Sequence, residues 1–280
     1  MVNWGYRAAR LQGKYNRWRY YQKIQRQQSP LQQKQSVPAW VYAFSCERDL
    51  PEQVASIRSF LTYVGIPERF TVLSDGSYTN RSCTFLKSIH SCVKVIDYTQ
   101  FILPDLPSEV YQYAEFHPLG KKIAVLLSLP YNPVNIYIDS DILFFPLAQK
   151  LVSLVKENST SVYYLLDAAP TLDNRLIKTS VEQENPANSG FLIAKQPLDW
   201  SLAIKRFLSL KESPSYFTEQ TMLHLTVYAH QAIPLDVNQF VVNRDDEFIY
   251  ADRHAGDRII LRHYVSPIRH KFWCNWQYLK

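Results

Sequence analysis

The chain has 280 residues, 46% hydrophobic and 20% charged, enough apolar material for one elaborated α/β unit with a real core. Its net charge of +6 is uneven: eight of the 31 Lys and Arg lie in residues 1–36, which hold no acid, so the remaining 23 face 25 acids. That slightly acidic body excludes a dedicated nucleic-acid binder, and no apolar run approaches the roughly 18 residues of a membrane span.

At the N-terminus Trp4, Ala8, Leu11, Tyr15 and Trp18 recur at steps of four and three, on one helical stripe flanked by Arg7, Arg10, Lys14 and Arg17. A basic helix with an aromatic face suits an anionic membrane surface; a disordered or domain-capping tail fits the same composition. The Gln-rich stretch Gln25–Gln35, broken by Pro30, reads as a linker. The chain therefore divides into a basic, aromatic-rich segment at 1–37 and a folded domain at 38–280. The N-terminus lacks the apolar centre of a signal peptide, so the expected compartment is the cytoplasm, with peripheral attachment at the cytoplasmic membrane face left open. Cys46, Cys83, Cys92 and Cys274 form no C-x-x-C pair; free thiols are expected, with a Cys83–Cys92 bridge as the alternative.

After Pro38, strands and helices alternate. The apolar run 40–44 predicts a first strand, and Asp49-Leu50-Pro51-Glu52 predicts an N-cap for a helix reaching about Val64. Strands follow at 70–73, closed by Ser74-Asp75-Gly76-Ser77, and at 93–96. A helix over about 119–129 leads to a fourth strand at 134–138. Later strands are expected at 161–166, 190–194 and 259–261, with helices near 199–210 and 218–229. Repeated β-α-β units predict a mainly parallel sheet whose ligands bind beyond the carboxyl ends of its strands.

The fourth strand runs straight into Asp139-Ser140-Asp141, then Ile142-Leu143-Phe144-Phe145. Two carboxylates set in apolar sequence are costly to bury without a cation or hydrogen-bond donors. In extended backbone, residues two apart point to one side, so both can face one ion. Carboxylate oxygens together with substrate phosphates suit Mg²⁺ or Mn²⁺. This is the chain's only D-x-D, and the plain alternative is a strand end with two solvated acids.

On these residues the chain resembles a GT-A-type glycosyltransferase over about 39–273. Ile136-Tyr137-Ile138-Asp139-Ser140-Asp141 is similar to that family's strand ending in D-x-D. Asn188-Ser189-Gly190-Phe191-Leu192-Ile193 is similar to its segment against the donor sugar. Glu219-Gln220 resembles an acidic-Gln pair of the glycogenin-related branch. His263-Tyr264 and Lys271-Phe272-Trp273 resemble that branch's H-[FY]-x-G-x-x-K-P-W, although Ser266 stands for its Gly, Phe272 for its Pro, and seven residues separate His263 from Lys271 where five are usual.

The resemblance implies a Rossmann-like α/β fold, with a mixed, mostly parallel sheet flanked by helices. It implies Mn²⁺ or Mg²⁺ on Asp139, Asp141 and His263, with His270 as a competing third ligand. The implied donor is a nucleotide-diphospho-sugar, UDP-sugar favoured, and the acceptor is open. Donor contacts fall on Phe44, Ser45, Asp75, Lys122, Asp139, Ser140, Asn188, Ser189, Gly190 and Lys271, and the reacting centre on Glu219 and Gln220. Glu219 is equally suited to starting a helix capped by Thr218, Asp75 to forming a turn, and Asp245-Asp246-Glu247 to a solvated loop or a general base. Two rival functions stand beside this one: a catalytically inactive nucleotide- or glycan-binding protein of the same fold, and a membrane- or polyanion-binding module working through the basic segment.

Overall fold

The computed structural model describes residues 3–26, 35–130 and 132–279. A long helix, α1 (Trp4–Arg26), precedes β1 (Ser36–Ser45), α2 (Leu50–Tyr63), β2 (Ile66–Ser74), α3 (Asn80–Ser88) and β3 (Val93–Asp97). Next come α4 (Ser108–Phe116), α5 (Pro118–Leu127), β4 (Asn135–Asp139), β5 (Ile142–Phe144), α6 (Lys150–Lys156) and β6 (Val162–Leu166). The last part holds β7 (Ala187–Ala194), α7 (Ser201–Leu208), α8 (Thr218–Ala229), and the short strands β8 (Ile233–Pro234), β9 (Phe240–Val241) and β10 (Leu261–His263).

Seven strands form one sheet in the order β3-β2-β1-β4-β7-β6-β8. The first four are mutually parallel, and β7 runs antiparallel to both β4 and β6. A smaller sheet, β5-β10-β9, is set beside it. This is the mixed, mostly parallel sheet flanked by helices that the sequence predicts. Chain order reverses direction across the sheet at β1, whose neighbours are β2 and β4. A crevice opens at such a switch point, beyond the carboxyl ends of the two strands. Phe44 pairs with Asp139 there.

Alternation along the strands divides the core in two. Val41, Ala43, Ile136 and Ile138 pack on one face with α2, while Tyr42, Tyr137, Tyr164 and Leu192 pack on the other with α5 and α8. The close fit of α4 on α5 needs Gly120, where an added Cβ would lie 2.2 Å from the Tyr113 carbonyl oxygen.

Several local expectations change. Asp49 does stand at the N-cap of α2, but its side chain makes no capping bond; Arg48 holds its carboxylate. Helices α3, α4 and α6 and strands β5, β8 and β9 go unpredicted, and the last expected strand lies two residues later, so that His263 is inside β10. Thr218 does not cap α8, because its hydroxyl is turned to Asp173 and the Ser215 amide. All four cysteines are free thiols. The helix expected at the N-terminus forms and docks through Ala9, Gly13, Tyr20 and Ile24, which are buried, while the aromatic stripe faces outward. Tyr20 and Ile24 enter the same core as β1. The division expected after residue 37 falls within β1, and most of the expected linker, residues 27–34, lies outside the described residues. No described helix is long and apolar enough to cross a membrane.

Phe60 is fully buried where α2 meets β2 and β5, its ring 5.8 Å from Phe70 and 5.1 Å from Phe144. Phe60→Ala should cost about 3–5 kcal/mol in urea unfolding, the cost of an aromatic cavity in a packed core.

Candidate active site

At the end of β4 the chain turns tightly through Ser140 into β5, and Asp141 is buried while Asp139 keeps some exposure. Every oxygen of the two carboxylates has a partner. Asp139 accepts from the Tyr137 hydroxyl at 3.0 Å and from Lys122 Nζ at 2.9 Å. Asp141 Oδ1 lies 3.0 Å from His263 Nε2, and its Oδ2 accepts from Arg269 Nη2 at 2.9 Å. Burial alone would raise the Asp141 carboxyl, but the Arg269 guanidinium and then His263 outweigh it and hold the carboxyl well below the usual range.

The imidazole has a defined tautomer. Asn188 Oδ1 accepts from the Gly190 amide at 3.0 Å and lies 2.8 Å from His263 Nδ1, so Nδ1 carries the hydrogen. Nε2 is then the ring atom that faces Asp141 and, at 3.7 Å, Asp139 Oδ2. A ring-nitrogen lone pair facing carboxylates requires a proton or a cation between them. One ligand atom from each of Asp139, Asp141 and His263 falls within 4.8 Å of the others. Two carboxylates plus an imidazole anchored through its second nitrogen form a donor set that can hold a divalent cation. Gly190 has a steric reason to be glycine: a Cβ there would sit 2.3 Å from the His263 ring.

Behind Asp139 lies a buried relay. Lys122 Nζ donates to Ser189 Oγ at 3.0 Å, and Ser189 Oγ donates to Glu219 Oε2 at 3.0 Å. Burial opposes the Lys122 charge, but Asp139 and Glu219 more than offset this and raise its pKa. Burial likewise raises Glu219, partly countered by Lys122. The other Glu219 oxygen, Oε1, has no hydrogen-bond partner among the described residues and lies 3.7 Å from Lys122 Nζ. Glu219 is thus enclosed beneath the carboxylates and faces the lysine. Gln220 points instead to Asp167 and Thr171, at 3.0 Å and 2.7 Å. Asp167, which the sequence does not single out, also accepts weakly from Asn188 Nδ2 at 3.4 Å.

Toward β2 and β3, Phe44 meets Tyr98 edge-on, and Ser45 Oγ accepts from Tyr78. Asp75 closes its turn by accepting from the Ser77 amide, and Lys121 Nζ binds the Asp75 carbonyl oxygen while lying over the Tyr98 ring. These groups gather at the carboxyl ends of β1, β2 and β3, on the β1 side of Asp139.

Two expected residues lie elsewhere. Lys271 is fully buried, donates to the Ile249 and Ala251 carbonyls, and lies 3.5 Å from Asp246. It does not reach the crevice; the basic group that this segment presents to Asp141 is Arg269, two residues earlier. His270 packs against Tyr6 of α1, so the histidine brought to the carboxylates is His263. Asp246 belongs to no solvated loop, being fully buried against Arg262 at 2.8 Å. It, Asp245 and His254 form a second acidic group whose central charge Arg262 and Lys271 already neutralise.

Two open clefts flank the site. One, of about 650 Å³, runs from Asp167 past Asn238, Asn243 and His254; the other, of about 600 Å³, holds Arg10, Lys14, Arg17 and Arg48 together with Arg269.

No protein-family model matches the chain, and no curated protein matches its sequence. Solved structures do resemble it in fold. A galactosyltransferase, LgtC, solved with donor and acceptor sugar analogues, superposes with a TM-score of 0.53 over 82% of this chain and 87% of its own, at 15% identity. Mouse xyloside xylosyltransferase 1 gives 0.52 over 84% and 99%, at 13% identity. The bifunctional glycosyltransferase WbbM gives 0.53 over 86% of this chain and 47% of its own, also at 13% identity. These structures establish the GT-A fold.

Gly190→Ala should destabilise the protein by about 1–3 kcal/mol in chemical denaturation, since the His263 ring must give way. A pH dependence follows from buried His224, whose Nδ1 accepts from the Ala187 amide at the start of β7 while Nε2 donates to the Glu182 carbonyl. Burial lowers its pKa from the ordinary 6.5, so the unfolded chain binds the proton first as pH falls. Unfolding free energy should therefore drop as pH falls below about 6.5, with a shallower slope in His224→Gln.

Proposed function

We propose that this chain is a metal-dependent glycosyltransferase that moves a sugar from a nucleotide-diphospho-sugar to an acceptor hydroxyl. The observation that carries the reading is the convergence of Asp139, Asp141 and His263 at the switch point of a GT-A sheet. The LgtC structure, with its donor and acceptor sugar analogues, supports a sugar donor for this fold. UDP is favoured as the nucleotide on the GT-A resemblance, and the third-ligand histidine favours the glycogenin-related type.

Asp139 Oδ2, Asp141 Oδ1 and His263 Nε2 would hold Mn²⁺ or Mg²⁺, which supplies charge neutralisation to the departing diphosphate. The protein's own groups supply the rest. Lys122 keeps Asp139 aimed into the crevice, and Asn188 keeps the His263 ring aligned. Arg269, half exposed beside Asp141, is the cation placed to take up negative charge as the anomeric carbon–phosphate oxygen bond breaks. Phe44, Tyr98, Ser45 and Asp75 form the nucleoside end of the crevice. Asp167, Asn188 and Gln220 present amides and a carboxylate to sugar hydroxyls, and the cleft beyond Asp167 receives the acceptor. Its hydroxyl oxygen replaces the diphosphate oxygen at the anomeric carbon, releasing nucleoside diphosphate and a proton. Glu219 acts through Lys122, as a positioning residue.

A second reading has one observation in its favour: Lys122 and Arg269 already pair with both carboxylates, as they would in a catalytically silent member of the fold. Nucleoside-diphosphate release from a panel of sugar nucleotides, with and without Mn²⁺, separates the two. A transferase should show Mn²⁺-dependent release from one donor, lowered about 10²–10³-fold in Asp141→Ala. Binding of a nucleotide without metal-dependent turnover would favour the silent reading, and equal release by wild type and Asp141→Ala would defeat the metal site.

A further inference from the structure

We propose that α1 lays the protein on the surface of an anionic phospholipid bilayer; the inference goes beyond the transferase reading and stands without it. The helix has two opposed faces. Through one it is fastened to the body: Ala9, Gly13, Tyr20 and Ile24 are buried, Asn16 donates to the Trp273 carbonyl at 3.0 Å, and Arg17 grips Glu52 through two bonds of 2.6 and 2.8 Å. At Gly13 the backbone passes so close that a Cβ would lie 2.6 Å from the His270 oxygen. The other face is held open by that same attachment.

On it stand Trp4, Leu11, Tyr15 and Trp18, which are 71%, 67%, 57% and 58% exposed. At about 100° per residue these four fall within a sector of roughly 60°, diametrically opposite the buried face. Arg7, Arg10 and Lys14 line one flank of this stripe, and Arg19, Lys23 and Arg26 the other. No acid occurs before Glu47.

This combination selects its partner. Aromatic rings and Leu11 gain by leaving water for the acyl boundary, while rows of cations on both sides remain among anionic headgroups. A second copy of the chain would set one basic flank against another. A nucleic acid would meet the arginines and leave Leu11 and the indoles in water. Since no described helix can span a bilayer, α1 lies along its surface. The helix also walls the groove that contains Arg269, the residue bonded to Asp141.

The test is co-sedimentation of the full chain with vesicles of phosphatidylcholine, alone or mixed with phosphatidylglycerol, across a salt series, with a duplex DNA competitor. Two variants of exposed positions keep the fold: Trp4→Ala/Leu11→Ala/Trp18→Ala and Arg7→Gln/Lys14→Gln, each checked for an unchanged urea midpoint. Wild type should sediment with the mixed vesicles and release at high salt. The aromatic variant should lose about tenfold or more in affinity and the charge variant should bind less well. Wild type that ignores anionic vesicles, an aromatic variant that binds as wild type does, or DNA that displaces the vesicles would each overturn the proposal. So would a change from dimer to monomer in the aromatic variant.

Discussion

Negative charge carried into the end of a buried strand sets the terms for what surrounds it. Asp139 and Asp141 lie where β4 leaves the core, and two enclosed carboxylates are untenable without compensation. The structure answers from four directions: Lys122 on α5, His263 on β10, Arg269 in the C-terminal segment, and the Tyr137 hydroxyl from the strand itself. Each of these groups is itself anchored. Lys122 rests on the Ser189–Glu219 relay, His263 on Asn188, and Arg269 lies 3.6 Å from Asp49. The small sheet β5-β10-β9 thereby finds its place against the large one, because β10 delivers the histidine and β7 the asparagine that orients it.

Much of this was legible in the chain. Strand β4 and its D-x-D, the Asn188-Ser189-Gly190 run and His263 could be read because each couples a recognisable residue type to the end or start of a strand. The reason for Gly190 could not be read, since it depends on a ring 73 residues further along. Arg269 sits in an Arg-His-Lys run that looks like solvated surface, and only the fold shows which of the three reaches Asp141. The segment between His263 and Lys271 is two residues longer than the glycogenin-type pattern, and this is the one signal that could have suggested that Lys271 is drawn elsewhere. Asp167 had no distinguishing neighbour at all.

The N-terminal helix shows a different limit. Periodicity located the stripe Trp4, Ala8, Leu11, Tyr15 and Trp18 but could not say whether it faces the core. The buried face is made of Ala9, Gly13, Tyr20 and Ile24, where small residues permit close approach to the His270 backbone and one tyrosine and one isoleucine fill the remaining space. Apolar content marks a face that avoids water, and it does not tell which partner does the covering. Glu219 carries the same lesson in the polar residues: its position before a helix suggests an exposed first-turn acid, whereas packing encloses it beneath Lys122.

The central claim is that Asp139, Asp141 and His263 together make one metal centre, and electron paramagnetic resonance of the protein titrated with Mn²⁺ tests it most directly. The account predicts a single bound ion with hyperfine coupling to one imidazole nitrogen, a coupling that disappears in His263→Gln while the fold is retained. Mn²⁺ that stays free in solution, or a nitrogen coupling that survives in His263→Gln, would contradict it.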